Sequence, residues 1–307
     1  MVALLFPGQG SQFVGMGRDL AERFPEARAV FEEADDALGA PLSRIMWEGP
    51  ETELTATHNA QPAILTHSIA VQRVVASRLE DVRFAAGHSL GEFSAYVAAG
   101  ALRFGDAVRT VRRRGELMFR SGEERPGTMA AVIGLDDDAV ERVCREASSA
   151  DEVCVPANYN SPGQIVISGD IAAVGRAIEL AKAAGARRAL PLNVSGAFHS
   201  PLMAVAEAGL AEQLGTVAME RPAFPVVSNV TAEPVVEVEA ARDLLVRQLT
   251  SPVRWTACVR TMLDAGVERF LELGPGSVLS GLLKRIERGA AATTLGTAEE
   301  VEAFLEG

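Results

Sequence analysis

The chain of 307 residues has only three cysteines and four histidines, and neither set has metal-ligand spacing. Cys144, Cys154 and Cys258 are scattered and odd in number, which argues against a disulfide framework and points to a reducing cytoplasm. No apolar run approaches the roughly 18 residues that a membrane span requires. The opening Met1–Phe6 lacks the basic flank of a signal peptide. Positive charge is short as well: the formal balance of −12 argues against nucleic acid as a partner. Any acidic partner must therefore meet a local basic patch, for which Lys182, Arg187 and Arg188, or Lys284, Arg285 and Arg288, are the available clusters. The loop Pro7-Gly8-Gln9-Gly10-Ser11-Gln12 has no P-loop lysine, and Phe13 stands where a third Rossmann glycine belongs. What remains, 48% hydrophobic and 23% charged, is the composition of a soluble globular enzyme with one large α/β core, or a core plus an inserted domain.

The most informative segment is Gly87-His88-Ser89-Leu90-Gly91. Val82–Ala86 before it reads as a buried strand and Glu92–Ala99 after it as a helix. A strand, a sharp Gly-x-Ser-x-Gly turn and a helix hold a serine hydroxyl at the tip of a strained turn. The helix N-terminus then aims amide N–H groups at negative charge developing nearby. Ser89 is thus the candidate nucleophile.

Around this elbow, helices alternate with short apolar strands, the pattern of an open, mostly parallel α/β sheet. Strands are expected at Val2–Phe6, Pro225–Asn229 and Phe270–Leu273. Helices are expected at Gly17–Phe24, Ala27–Leu38, Gln61–Leu79, Phe104–Phe119 (with Gly122 just past its end), Ser200–Leu214, Ala240–Leu249, Thr256–Ala265 and Val278–Ile286. From about Gly127 the order changes to strand Thr128–Gly134, helix Asp136–Ala147, strands Val153–Tyr159 and Gln164–Ser168, helix Ile171–Ala184 and strand Arg187–Asn193. That βαββαβ order is the ferredoxin-like split motif. It predicts a subdomain, residues 127–194, inserted into a larger domain made of 1–126 and 195–307.

Of the histidines, His58 and His67 have no reactive neighbour in sequence and read as surface or satisfied core positions. His88 adjoins the serine and either supports the elbow or lines a pocket. His199 lies in the small-residue loop Ser195–Pro201 at the predicted domain junction, entering a helix. It is either a cap or the general base for Ser89. Arg114 falls on the apolar stripe Phe104, Ala107, Val108, Val111 and Met118 of its helix, whereas Arg109, Arg112 and Arg113 lie largely off it. An inward guanidinium needs an anion: a protein carboxylate such as Glu92 or Glu116, or a substrate carboxylate gripped by the bidentate fork. Gln9 offers a backbone N–H that could pair with that of Leu90 as an oxyanion hole.

Phe6-Pro7-Gly8-Gln9-Gly10-Ser11-Gln12, Gly87–Glu92, Arg114-Gly115, Ala197-Phe198-His199, Gln248-Leu249 with Pro252-Val253-Arg254-Trp255, and Gly274-Pro275-Gly276 stand in the order seen in acyltransferases of fatty-acid and polyketide synthesis. The whole chain resembles the malonyl-specific, stand-alone members of that family. The resemblance implies an α/β-hydrolase-like large domain with the ferredoxin-like small one and a site in the cleft between them. It implies ping-pong transfer of malonyl from malonyl-CoA through Ser89 to the phosphopantetheine thiol of an acyl carrier protein, with His199 as base. It also gives Gln9 and Leu90 the oxyanion, Arg114 the malonyl carboxylate and His88 a place near the acyl group. Gln248 is expected to orient His199 through its backbone carbonyl. Phe198 before His199, like Leu90, matches malonyl-type members, since a ring beside the α-carbon leaves little room for a methyl branch; such a filter is worth only ~1–3 kcal/mol. No cofactor, metal, nucleic acid or membrane is implied, and nothing requires more than a monomer. The alternatives are a serine hydrolase or thioesterase, with Asp170 or Glu179 nominally completing a triad, and a non-catalytic carrier-protein docking module.

Overall fold

The computed structural model describes residues 1–307. Its centre is Val2–Phe6 (β1), five residues that are all buried. Val2, Leu4 and Phe6 enter one hydrophobic core and Ala3 and Leu5 the other, because successive side chains leave a strand on opposite faces. A strand buried on both faces must be apolar throughout, which is why this run reads as continuous rather than alternating. β1 pairs in parallel with Val82–Gly87 (β2) on one side and with a later strand, Arg269–Leu273, on the other.

The chain leaves this sheet after the helix Phe104–Glu124 and builds a second one. Gly127–Ile133 (β3), Cys154–Ser161 (β4), Gln164–Asp170 (β5) and Arg188–Pro191 (β6) form an antiparallel sheet in the order β4-β5-β3-β6. Helices Asp137–Ala147 and Ile171–Ala183 close over it, and a separate core gathers Val132, Val140, Ile165, Ile167 and Val174. Asp136 caps the first of these helices, its side chain accepting from Ala139 N–H.

Back in the large sheet, Val226–Val227 (β7), Pro234–Val235 (β8), Arg269–Leu273 (β9) and Ala292–Leu295 (β10) complete six strands in the order β10-β9-β1-β2-β7-β8. All neighbours are parallel except β7 with β8. The two sheets are stitched where Val253 exchanges backbone hydrogen bonds with Ala157 and Tyr159 of β4 (2.8 and 2.9 Å). This fixes the segment following Gln248 against the small sheet.

The carboxyl ends of the adjacent strands β1 and β2 put two loops side by side: Pro7–Gln12 and His88–Leu90. Their approach demands glycine. A Cβ on Gly91 would lie 2.1 Å from the Phe6 carbonyl oxygen, and one on Gly87 would lie 1.8 Å from the Gly91 carbonyl carbon. The elbow glycines are therefore fixed by steric fit.

Several boundaries differ from the sequence reading. The helix expected at Phe104–Phe119 runs on to Glu124, so Gly122 lies inside it. Gly122 is needed because a Cβ there would meet the Ser195 carbonyl oxygen at 2.3 Å. The helix expected at Gln61–Leu79 begins at Thr57 and ends at Val75. The strand expected at Pro225–Asn229 pairs only through Val226 and Val227.

Candidate active site

Ser89 has φ 51°, the left-handed conformation that a nucleophile elbow imposes on a residue with a Cβ. Its backbone N–H donates to Asn229 Oδ1 (2.7 Å), and Asn229 Nδ2 in turn holds the Gly87 carbonyl (2.8 Å). The strained turn is thus clamped from the loop after β7. The helix Gly91–Ala98 starts directly behind the serine.

His199 also has positive φ (56°) and is 4% exposed. Its Nε2 lies 2.8 Å from Ser89 Oγ, and its Nδ1 lies 2.8 Å from the Gln248 carbonyl oxygen. A carbonyl can only accept, so Nδ1 carries the proton and Nε2 presents a lone pair to the serine O–H. The capping alternative for His199 is not what is found: Ser200 caps the 3₁₀ turn Pro201–Met203, accepting from Leu202 N–H. Burial pushes the imidazole pKa down to about 3, with the Arg114 cation and then His88 adding to the fall. The ring is neutral across the physiological range.

Arg114 is 1% exposed and reaches the same point. Nη1 donates to Gln61 Oε1 (2.8 Å), while Nη2 donates to Gln248 Oε1 (2.9 Å) and to Ser89 Oγ (3.2 Å). Phe93 stacks beneath the guanidinium, 5.6 Å from ring centroid to Cζ. No carboxylate touches it directly: Glu92 reaches it only through the Gln248 amide, and Glu116 is engaged by Arg112 and Arg113. Burial lowers its pKa to about 10, leaving it cationic at neutral pH. A buried cation held only by neutral oxygens beside a serine–histidine pair has the electrostatics of a carboxylate receptor.

The other sequence-selected residues converge here as well. A cleft of about 830 Å³ is lined by Gln9, His88, Ser89, Leu90, Arg114, Phe198 and His199 from the large sheet's side and by Met129, Asn160 and Val166 from the small sheet's side. Neither Gln9 N–H nor Leu90 N–H donates to any group of the chain, so both are free for an oxyanion. His88 Nε2 meets Asn160 Oδ1 (2.8 Å), and burial lowers its pKa. Gln248 is fully buried, with its carbonyl on His199. His58 and His67 stay outside the cleft lining; His67 is buried, with Nε2 on the Gly296 carbonyl. The triad alternatives do not form. Asp170 pairs with Arg125 (2.8 Å) and Glu179 with Lys182 (2.8 Å), and His199 Nδ1 faces the Gln248 carbonyl rather than a carboxylate. No group of histidine, cysteine and carboxylate side chains could hold a metal ion.

Sequence reasoning missed Asn229, Gln61, Asn160 and the side chain of Gln248; Glu92 it offered only as one partner for Arg114. Glu92 carries a signal comparable to that of Arg114: it is the one charge in the helix Gly91–Ala98, whose Phe93, Ser94, Ala95 and Tyr96 are all buried. The amides carried none.

A serine on a positive-φ elbow, a histidine in contact with it and with a backbone carbonyl, and a buried arginine thus meet at one point of the cleft, an arrangement suited to serine acyl transfer. The chain matches the acyl transferase domain family over residues 3–305 and belongs to that family. It is 46% identical over 305 residues to the malonyl CoA-acyl carrier protein transacylase of Bacillus subtilis (strain 168), covering 99% of this chain and 96% of that one. It is 47% identical to the protein of the same name from Escherichia coli (strain K12), covering 99% and 98%. Among solved structures it resembles a malonyl-transacylase in complex with the holo acyl-carrier protein of a type II polyketide synthase, with a TM-score of 0.96, 45% identity and 99% of each chain covered. No helix is long and apolar enough to cross a membrane.

Proposed function

We propose that this chain transfers malonyl from malonyl-CoA to the phosphopantetheine thiol of an acyl carrier protein through a malonyl-Ser89 intermediate. The observation that carries the reading is the Arg114 guanidinium, buried with no carboxylate in direct contact and 3.2 Å from Ser89 Oγ. A hydrolase of neutral esters has no use for it.

Ser89 Oγ attacks the thioester carbonyl as His199 Nε2 takes the hydroxyl proton. The Leu90 and Gln9 N–H groups receive the oxyanion. On collapse the C–S bond breaks, and the departing CoA sulfur takes the proton from His199. In the second half-reaction the carrier thiol gives its proton to His199, attacks the acyl-serine and returns Ser89 to its hydroxyl form. Arg114 holds the distal carboxylate with the N–H now aimed at Ser89 Oγ and the one left free on Nη1. That pairing also screens the cation that depresses His199, so the base strengthens when substrate is seated. His88 and Phe198 border the acyl group, and Phe198 filters against a branched α-carbon.

We read the fold in the same spirit: an α/β-hydrolase-like domain of residues 1–126 and 195–307 carrying an inserted ferredoxin-like subdomain, 127–194. The β2–elbow–helix unit supports the first description. The β4-β5-β3-β6 order of the antiparallel sheet, with its separate core, supports the second.

His199→Ala slows both half-reactions by at least ~10²–10⁴-fold. In the unmodified enzyme, kcat/KM for loading does not fall tenfold per unit as pH drops from about 6.5 to 5, because the buried base is neutral well below the usual imidazole value of 6.5. A protonation limb near 6.5 would contradict that picture.

Lys284 and Arg285 belong to the helix whose Val278, Leu279 and Leu282 line the cleft, and Arg285 reaches Gln164 on the opposite wall. Lys182 is tied to Glu179 on a helix that contributes nothing to the lining. Lys284→Glu with Arg285→Glu should raise KM for the carrier protein, most at low salt, and spare malonyl-CoA loading. Lys182→Glu should do neither; the reverse ranking would move the docking face to the small sheet.

A further inference from the structure

Glu92 takes no part in the steps above, yet it is fully buried directly behind the nucleophile. Its Oε2 accepts from Asn229 N–H (3.1 Å) and from Gln248 Nε2 (2.7 Å), while Oε1 has no partner. The other end of the same amide, Gln248 Oε1, accepts from Arg114 Nη2 (2.9 Å). One glutamine side chain thus spans a buried carboxylate and a buried guanidinium, while its backbone carbonyl holds the base. With Glu92 ionised, the empty site carries one positive and one negative charge.

We propose that Glu92 is the resting counter-ion of Arg114, bridged to it by the Gln248 amide, and that it yields this place to the malonyl carboxylate by taking up a proton from solvent. The inference rests on the malonyl reading of the site. A second carboxylate on Arg114 leaves two buried anions against one cation, and like charges sharing a site cannot both stay ionised cheaply. No covalent bond of the substrate is involved: one buffer proton adds to the unpartnered Oε1, and Oε2 keeps its two donors. The groups facing Glu92 allow this. Arg114 from the long helix is the only cation; Tyr96 from its own helix and Cys258 from Trp255–Asp264 are both held neutral by burial. His199, in the next loop, is neutral too. Burial already lifts the Glu92 carboxyl to about 7, against the pull of Asn229, Gln248 and Arg114.

The test is proton uptake on loading, read with an indicator dye in weakly buffered solution, with malonyl-Ser89 counted by mass spectrometry in the same sample. The wild type should take up roughly half to one proton per malonyl-serine near pH 8, and almost none below about pH 6, where Glu92 is already protonated. Glu92→Gln keeps acceptors for both donors and loses the charge. Loaded to the same stoichiometry it releases the same CoA thiol but should show no uptake. Malonylation of the wild type without uptake at any pH from about 6 to 8.5 would overturn the inference and leave the function standing. Uptake that persists in Glu92→Gln would place the proton on His199 and also overturn it. If that variant does not fold, an infrared difference spectrum of the wild type decides, with ¹³C-malonyl-CoA moving the ligand's own bands aside. A protonated-carboxyl band must appear on loading, and its absence rejects the proposal. Failure of Ser89 to accept malonyl at all would overturn the functional reading and the inference together.

Discussion

Replacing Ser89 by alanine removes acyl-enzyme formation and lowers transfer by on the order of 10⁵–10⁶-fold, the loss expected when a covalent nucleophile is deleted. No other hydroxyl in the cleft sits on an elbow or faces a histidine: Ser89 Oγ is the group at 2.8 Å from His199 Nε2. Thr57 and Ser195 also line the cleft, but they hydrogen-bond each other at 3.0 Å. The clamp on the turn survives the substitution, because Asn229 holds the Ser89 backbone N–H rather than its hydroxyl. The variant should therefore melt close to the wild type and still bind malonyl-CoA through Arg114. Mass spectrometry after incubation with malonyl-CoA checks it. Acylation at wild-type stoichiometry in the alanine variant would move the nucleophile elsewhere.

Arg114→Ala should alter which acyl group is carried rather than whether one is. Malonyl offers the guanidinium an anion; acetyl leaves a buried donor without its partner, at a cost of a few kcal/mol, or roughly a hundredfold or more in discrimination. Removing the arginine should therefore drop malonyl transfer by at least about a hundredfold while acetyl transfer is retained or gained. Lysine should recover little, because a point charge does not reproduce two parallel bonds. The alanine variant also strips a donor from Gln61 and Gln248, so some thermal stability is lost. The selectivity ratio separates the roles: malonyl and acetyl transfer falling together, with a lowered Tm, would make Arg114 structural only.

Local rules made much of this legible. β1 announced itself as an apolar run because a strand flanked in parallel on both sides has no solvent face. Ser89 was readable because the elbow's glycines are fixed by steric contact, and Arg114 because a charge on an apolar stripe is costly wherever its helix packs. His199 was placed by its loop and its Gln248 carbonyl partner by the resemblance, whereas its tautomer required the fold. The amide network was not readable: Gln61, Asn229 and Gln248 act on Arg114 and Ser89 across more than 50 residues of sequence, and an amide pattern carries no period. Gly122 was misread as a helix terminator since a glycine needed for close approach looks the same in sequence as one needed for positive φ. The last helix, Ala298–Glu306, lies outside the expected elements, although Thr297 and Glu300 form a capping box whose spacing stands in the sequence.

In this mechanism the acyl group leaves Ser89 for a carrier thiol and not for water. The direct measurement isolates malonyl-enzyme, free of malonyl-CoA, and follows its decay with and without holo carrier protein. Loss of malonyl from Ser89 should be slow in buffer and accelerate in proportion to carrier concentration, with malonyl appearing on the phosphopantetheine arm. A decay to free malonate that carrier protein leaves unchanged would make the chain a hydrolase.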